Sequence, residues 1–402
     1  MEPYTLYTGG YEGKIIQLEF DPLASASSGE RLRKVDEVAC GAAPTWLTFS
    51  PDARFVYSAD EWGRETGALT TLSVNVKGRL RVHDTITTDG LWPCHSGLVT
   101  STSPPQLLTA NYKGANVHCV ALRPDGHLDA SSARTIPMDK TGSALGPVAW
   151  RQEQAHPHGA HPDPTGTVVA VPDLGTDDVR ILHVDRAAGT IREAEIVHLD
   201  PGDGPRHVVF GPLRAGAEGR REARLYVMNE LHNSITVLHV DYPSCDSPSP
   251  YPTFEVLQRR VSLLPPTPFP HQSSFASWHS AELVLSPCGQ FLLASNRAEN
   301  HDPLAGTHQG PEDLLAVFRL DENGLLLPES RQLVGCGGRA PRHMSFSSES
   351  RRRPSEVGGP AYLAVALHDS NEVVVFDFSA QGTLTEVARL RDVGRPGIVL
   401  WA

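Results

Sequence analysis

The chain has little of what most function classes require. No stretch sustains helical periodicity, which argues against a helical or α/β domain. No apolar run is long enough to span a bilayer, so no membrane is expected as a partner. Met1 to Gly10 lacks a basic region followed by an apolar core, so no secretory signal is expected. The six cysteines (40, 94, 119, 245, 288, 336) stand singly, with no Cys-x-x-Cys pair and no dense framework. Thiols in a reducing, cytoplasmic setting are the simplest reading. Positive charge is scarce: the formal net charge is −12, and no basic stripe offsets it. That argues against nucleic acid as a partner. The run Arg351-Arg352-Arg353 is short and reads as a solvated loop. There is no Gly-x-Ser-x-Gly elbow, no Walker loop and no dinucleotide glycine loop. Gly335-Cys336-Gly337-Gly338-Arg339 is glycine-rich but opens no helix.

What the chain does have is a repeated sentence. One copy runs Pro205-Arg206-His207-Val208-Val209-Phe210, then Leu225-Tyr226-Val227-Met228-Asn229-Glu230, then Ser234-Ile235-Thr236-Val237-Leu238. Others begin at Pro44, Ala281 and Pro341. Each has an apolar strand, a Pro-Asp-Gly-like turn or its equivalent, a second apolar strand and a polar end. The 35 glycines and 33 prolines suit many tight turns. Short strands with turn residues at a long, irregular period predict an all-β fold, a β-propeller of about seven blades. Blade material is expected near residues 4–20, 45–80, 95–122, 156–184, 206–240, 280–320 and 342–378. The final segment Arg395 to Trp401 resembles the opening strand of another blade and is expected to pair with the N-terminal strand near Tyr4–Thr8. Such closure removes exposed sheet edges. One domain over residues 1–402 follows. The segments 23–33, 212–222, 242–273, 299–312 and 347–360, rich in Pro, Ser, Gly and charge, read as loops.

Four segments place polar groups at blade ends. His156-Pro157-His158-Gly159-Ala160-His161 offers an imidazole for proton transfer, most often a satisfied turn histidine when met alone. Its His-x-His-x-x-His spacing also resembles a metal cluster. It lacks the adjacent acid, and proline follows both His156 and His161, so no metal is expected. Gly202-Asp203-Gly204-Pro205-Arg206 sets a guanidinium at a strand mouth, suited to a carboxylate or phosphate, or to an ordinary inter-blade ion pair. Asn229-Glu230 ends a strand with an acid, and Ser295-Asn296-Arg297 ends one with a cation. Together they would supply a proton acceptor or donor and two anion clamps without a nucleophile or cofactor. The partner expected is a small anion.

At these residues the chain resembles the seven-bladed propeller lactonase family. That family includes the bacterial propeller type of 6-phosphogluconolactonase and the fungal 3-carboxy-cis,cis-muconate lactonising enzyme. The resemblance rests on His156-Pro157-His158 through Gly166, Val171-Pro172-Asp173-Leu174-Gly175-Thr176-Asp177, Gly202 to His207, Asn229-Glu230-Leu231, Ala281-Glu282 with Ser286-Pro287, and Ser295-Asn296-Arg297. Asn111-Tyr112 with Gly114 fits as well, and the wording is closest to fungal members. The resemblance implies His158 and Glu230 as acid/base groups and Arg206 and Arg297 as anion binders. His207, Glu282 and Arg342 are secondary candidates from the same motifs. Departures include Pro287-Cys288-Gly289 for the usual Pro-Asp-Gly, and His95-Ser96-Gly97 for a less polar stretch. Three functions compete: hydrolysis of a sugar-derived lactone, favoured here; cyclisation of a carboxymuconate-type substrate; and a silent interaction scaffold. Retention of the whole polar set disfavours the last.

Overall fold

The structure is a computed structural model that describes residues 3–24, 31–62, 65–138, 144–216, 220–244, 247–264, 278–298, 312–347 and 361–402. Its regular structure is strand throughout, apart from a single 3-10 turn at Pro328–Ser330 among the described residues. The strands form seven antiparallel sheets, the blades of a seven-bladed β-propeller.

The first blade is made from both chain ends. Pro396–Trp401 pairs with Tyr4–Gly10, which is followed by Lys14–Phe20 and Leu32–Ala39. The second blade holds Pro44–Phe49, Phe55–Asp60, Ala68–Val74 and Leu80–Thr87. The third holds Pro93–Val99, Gln106–Asn111, Asn116–Leu122 and Leu128–Pro137. The fourth begins with only His161–Pro162 and continues through Val168–Asp173, Asp178–Asp185 and Thr190–His198. The fifth holds Pro205–Phe210, Arg221–Asn229, Ser234–Tyr242 and Thr253–Ser262, with the short strand Arg214–Ala215 paired to Arg221–Asn229. The sixth holds Trp278–Leu285, Phe291–Ala298, Leu314–Arg319 and Gln332–Gly335. The seventh holds Pro341–Phe346, Ala361–Leu367, Glu372–Phe378 and Leu384–Arg391.

The expected closure is present. Leu6 lies opposite Trp401, Tyr7 opposite Leu400 and Thr8 opposite Val399. The Trp401 ring meets Tyr4 edge-on at 5.6 Å, and its indole N–H donates to the Ser345 carbonyl at 2.9 Å.

Two expectations about loops need correction. The segment 242–273 contains a full outer strand, Thr253–Ser262, and 212–222 contains Arg214–Ala215 and the start of Arg221–Asn229. The reason is visible in the burial of Thr253–Ser262, which alternates between exposed and half-buried along most of its length. An outer strand covers the core on one side only, so half of its residues are polar and resemble loop. The same applies to Leu128–Pro137 and Thr190–His198, which lie beyond the expected blade limits. Of 299–312 only Glu312 is among the described residues, and of 347–360 only Ser347.

By compactness the chain forms two units. One comprises Met1–Thr45, Val74–Arg81 and Ser262–Ala402, and the other Trp46–Ser73 and Val82–Val261. In each, the core lies between facing blades. In the second unit, Val168, Ala170, Val179 and Ile181 of the fourth blade pack on Val208, Leu225, Val227 and Leu238 of the fifth. In the first unit, Leu6, Ile16 and Leu18 pack on Ala364, Ala366, Val373 and Val375 of the seventh blade. Both faces of the middle strands are therefore buried, which explains their near-continuous apolar runs.

Candidate active site

The second unit brings together three of the four residues singled out from the sequence. His158 lies just before the short strand of the fourth blade, with its backbone N–H on the Pro172 carbonyl at 2.9 Å. Arg206 is the second residue of the fifth blade's first strand, and Glu230 follows the end of the next. All three are buried. The Arg206 guanidinium bridges the other two: Nη1 donates to His158 Nε2 in a short contact and to Glu230 Oε2 at 3.3 Å.

Proline at 205 makes this placement possible. Lacking an N–H, it opens a strand at a register shift between Pro205 and His207, which turns the Arg206 side chain out of the ordinary alternation. Gly204 precedes it at φ 58°, where a Cβ would lie 2.4 Å from Leu231. The Gly204 carbonyl then accepts the Glu230 N–H at 2.8 Å, so acid and cation are set by one turn.

A fourth member was not expected. Arg151 Nη2 donates to Glu230 Oε1 at 2.5 Å, so the carboxylate lies between two guanidiniums. Arg151 comes from an irregular segment that carries no repeat motif, and nothing in its spacing could have found it. Its neighbour Gln152 is legible only in three dimensions. Gln152 Nε2 donates to the Leu174 carbonyl and to Asp177 Oδ1, both at 2.8 Å. The Asp177 carboxylate also accepts the N–H of Gly202 and of Gly204, each at 2.7 Å. Burial pushes the Asp177 carboxyl up, and these three donors oppose the shift. The Asp-Leu-Gly-Thr-Asp string thus acts as a bracket. Asp173 Oδ1 accepts the His156 N–H at 2.7 Å, and its Oδ2 accepts Arg180 Nε at 2.8 Å. Gly175 lets the Gln154 carbonyl approach to 1.7 Å from where a Cβ would stand.

The His158 imidazole is held neutral. Burial lowers its pKa well below the ordinary value, and the Arg206 and His207 charges push the same way. With Nε2 taking the Arg206 N–H, the ring proton belongs on Nδ1, which lies 3.7 Å from Cys94 Sγ. Tyr112 stands edge-on to His158 at 5.3 Å. Burial, with the nearby Glu230 charge adding, pushes its phenol up to about 12.

The three clustered histidines differ in their main contacts, although His156 and His158 share Tyr112. His156 stacks on Tyr112 at 4.2 Å with Nδ1 3.0 Å from the Tyr112 carbonyl, His158 meets Arg206, and His161 packs on His95 at 4.2 Å. No group of three potential metal ligands occurs among the described residues. His207, a secondary candidate, lies 5.2 Å from His158 and 5.3 Å from His95, in a layer closed by Trp46. The polar His95 noted in the sequence thus packs between Trp46 and His161.

Arg297, Glu282 and Arg342 belong to the first unit. Arg297 is buried on Phe291–Ala298 and its Nη2 donates to the Ser280 carbonyl at 3.2 Å. Glu282 sits at a bulge, its Oε1 accepting the Leu283 N–H at 2.9 Å, with Oε2 3.5 Å from His343 Nε2. The Arg342 guanidinium lies over the Tyr11 ring at 5.4 Å.

Comparison with known proteins identifies the family. The sequence profile described as "Lactonase, 7-bladed beta-propeller" matches residues 5–401. The Probable 6-phosphogluconolactonase of Arthroderma benhamiae is 32% identical over 364 residues, covering 90% of this chain and 80% of its own. The 6-phosphogluconolactonase of Bacillus subtilis is 26% identical over 320 residues, covering 80% and 81%. The solved structure of the Pseudomonas aeruginosa periplasmic gluconolactonase, 24% identical, superposes over 100% of this chain and 99% of its own with a TM-score of 0.72, which supports the fold. Through this match over nearly its whole length, the chain belongs to the seven-bladed β-propeller lactonase family.

Proposed function

We propose that this protein hydrolyses an anionic, sugar-derived lactone of the 6-phosphogluconolactone type, in a reducing, cytoplasmic setting. The relatives named above support the substrate class. Cys40, Cys94, Cys119, Cys288 and Cys336 remain thiols, which supports the setting. The observation that carries the reading is Arg206 bridging a neutral His158 and Glu230 in a buried site.

With His158 neutral, the two guanidiniums outweigh the single Glu230 carboxylate, and the site favours an anion. An incoming anionic substrate competes for Arg206 Nη1 and so releases His158 Nε2. The freed imidazole takes a proton from water as the water attacks the lactone carbonyl. The guanidinium stabilises the oxyanion that forms. Collapse breaks the ring C–O bond, and the imidazolium returns the proton to the departing alkoxide. Glu230 holds Arg206 and Arg151 in place through this cycle. On the family resemblance, Arg297 is itself an anion-binding guanidinium, and residues 1–402 are one propeller domain.

The test is a side-by-side assay of 6-phosphogluconolactone and a carboxymuconate. Acid release above the spontaneous rate from the lactone alone is expected. Loss of the muconate ultraviolet absorbance without lactone opening would replace hydrolysis by cyclisation. Turnover of neither would return the scaffold reading.

A further inference from the structure

Two exposed tryptophans border this site, and one of them holds a backbone conformation that folding alone does not favour. Trp92 precedes the strand Pro93–Val99 with φ 57°, the left-handed region, and its side chain is 40% exposed. The left-handed region is unfavourable for a bulky residue, and two-fifths of this one stays exposed. The conformation is imposed by its neighbours. The N–H of Tyr112 donates to the Trp92 carbonyl at 2.9 Å, and those of Lys113 and Gly114 donate to the Leu91 carbonyl at 3.1 and 3.0 Å. Trp150 is more exposed still, at 66%, on a turn pinned by Gln152, whose Oε1 accepts the Val148 N–H at 2.9 Å.

Both indoles adjoin residues of the site. The Trp92 ring lies nearly parallel to Tyr112, at 13° and 6.2 Å, and Tyr112 stands against His158. The Arg151 guanidinium lies 5.4 Å from the centre of the Trp150 ring while Nη2 holds Glu230. Around them are charged groups, including the Lys113–Glu153 pair at 2.7 Å. Aromatic faces flanked by hydrogen-bonding charges match one ligand chemistry. The C–H bonds on one face of a sugar ring carry partial positive charge and lie well on an electron-rich π face, while its hydroxyls need polar partners at the edge.

We propose that Trp92 and Trp150 form an aromatic subsite for the C–H face of a sugar ring, so that the enzyme selects polyhydroxylated lactones over plain aliphatic ones. This deepens the proposed lactone hydrolysis and rests on it. Binding at the subsite acts equally on ground and transition states, so it appears in KM.

Trp92→Gly and Trp150→Ala test the subsite. Glycine accepts φ 57° without strain, so Trp92→Gly leaves the backbone conformation beside Tyr112 in place, which circular dichroism checks. Each change should raise KM for 6-phosphogluconolactone by about tenfold with kcat within about twofold, and leave KM for δ-valerolactone within about twofold. Unchanged KM for the sugar lactone overturns the subsite and leaves the hydrolysis standing. An equal rise for δ-valerolactone overturns the selection for sugars. Quenching of tryptophan fluorescence by glucose 6-phosphate, a stable pyranose phosphate, separates the two readings. If the wild type turns over no sugar lactone, quenching that is lost in both variants retains the subsite while hydrolysis falls. Absence of quenching in the wild type overturns the subsite.

Discussion

Gln152 and Asp177 are joined by a hydrogen bond of 2.8 Å from Nε2 to Oδ1, and this contact ties together two turns that each present an arginine to Glu230. Gln152 adjoins Arg151, while Asp177 holds the N–H groups of Gly202 and Gly204 just before Arg206. Asp177 is therefore a positioning residue. Asp177→Asn puts an amide N–H against one of those donors. It should lower kcat by about 10- to 100-fold with a smaller effect on KM. In an Arg151→Ala background the same change should cost distinctly less, because the two act partly through one contact. Equal factors in both backgrounds, tracking melting temperature, would assign Asp177 to the fold alone.

His158→Ala should cut kcat by about 10²- to 10⁴-fold with the fold intact, the usual loss for a proton-transfer group. Glu230→Ala should fall in the same range by releasing both arginines. Arg206→Lys should rescue little, since an ammonium cannot reach the imidazole and the carboxylate with a rigid fork. Circular dichroism and steady-state kinetics on the same preparations check this. Full activity per folded molecule in His158→Ala would end the proposal.

The stability of the protein should fall as the pH drops below that of an ordinary histidine. Burial lowers the pKa of both His158 and His161 well below 6.5, so the unfolded chain binds protons there that the folded chain does not. Stability then rises with pH, by as much as ~1.4 kcal/mol per unit for each histidine, until the unfolded value is passed. Buried Asp173 and Asp177, whose carboxyls are pushed up, act in the opposite sense at lower pH. The comparison is therefore of wild type with His161→Gln by thermal melts from pH 7 to 5. The variant should show the shallower slope, and identical slopes would refute the assignment.

Deleting the last eight residues should lower stability by several kcal/mol. The strand Pro396–Trp401 forms an edge of the first blade and buries Ile398, Val399 and Trp401. A melting temperature equal to that of the full chain would show that the terminal pairing contributes nothing.

Exhaustive chelation should leave turnover intact, since the arginines already supply the positive charge that the reaction needs. Loss of activity restored by one divalent ion would reverse that expectation.

The blade strands were legible because period, turn residues and apolar runs are local properties. Phe55–Asp60, Leu225 to Asn229 and Phe291–Ala298 bury both faces, and each reads directly as a strand. Outer strands such as Thr253–Ser262 did not, because a half-exposed strand has the composition of a loop. His158 and Arg206 were legible because each stands beside a Pro or Gly, and Glu230 because it ends the apolar run Leu225 to Asn229 with an acid. Their acid/base and clamp roles came from the family resemblance.

The order of short strands and the joining of the two chain ends follow from patterning along the chain, since hydrophobic period and turn chemistry act between near neighbours. Arg151, Gln152 and Asp177 lie outside that reach. Arg151 and Glu230 stand 79 positions apart, and Gln152 and Asp177 stand 25 apart. Their value comes from meeting one carboxylate from separate turns, and the sequence carries no spacing rule for that. The neutrality of His158 is likewise decided by burial and by the cation beside it, which exist only once the chain is folded.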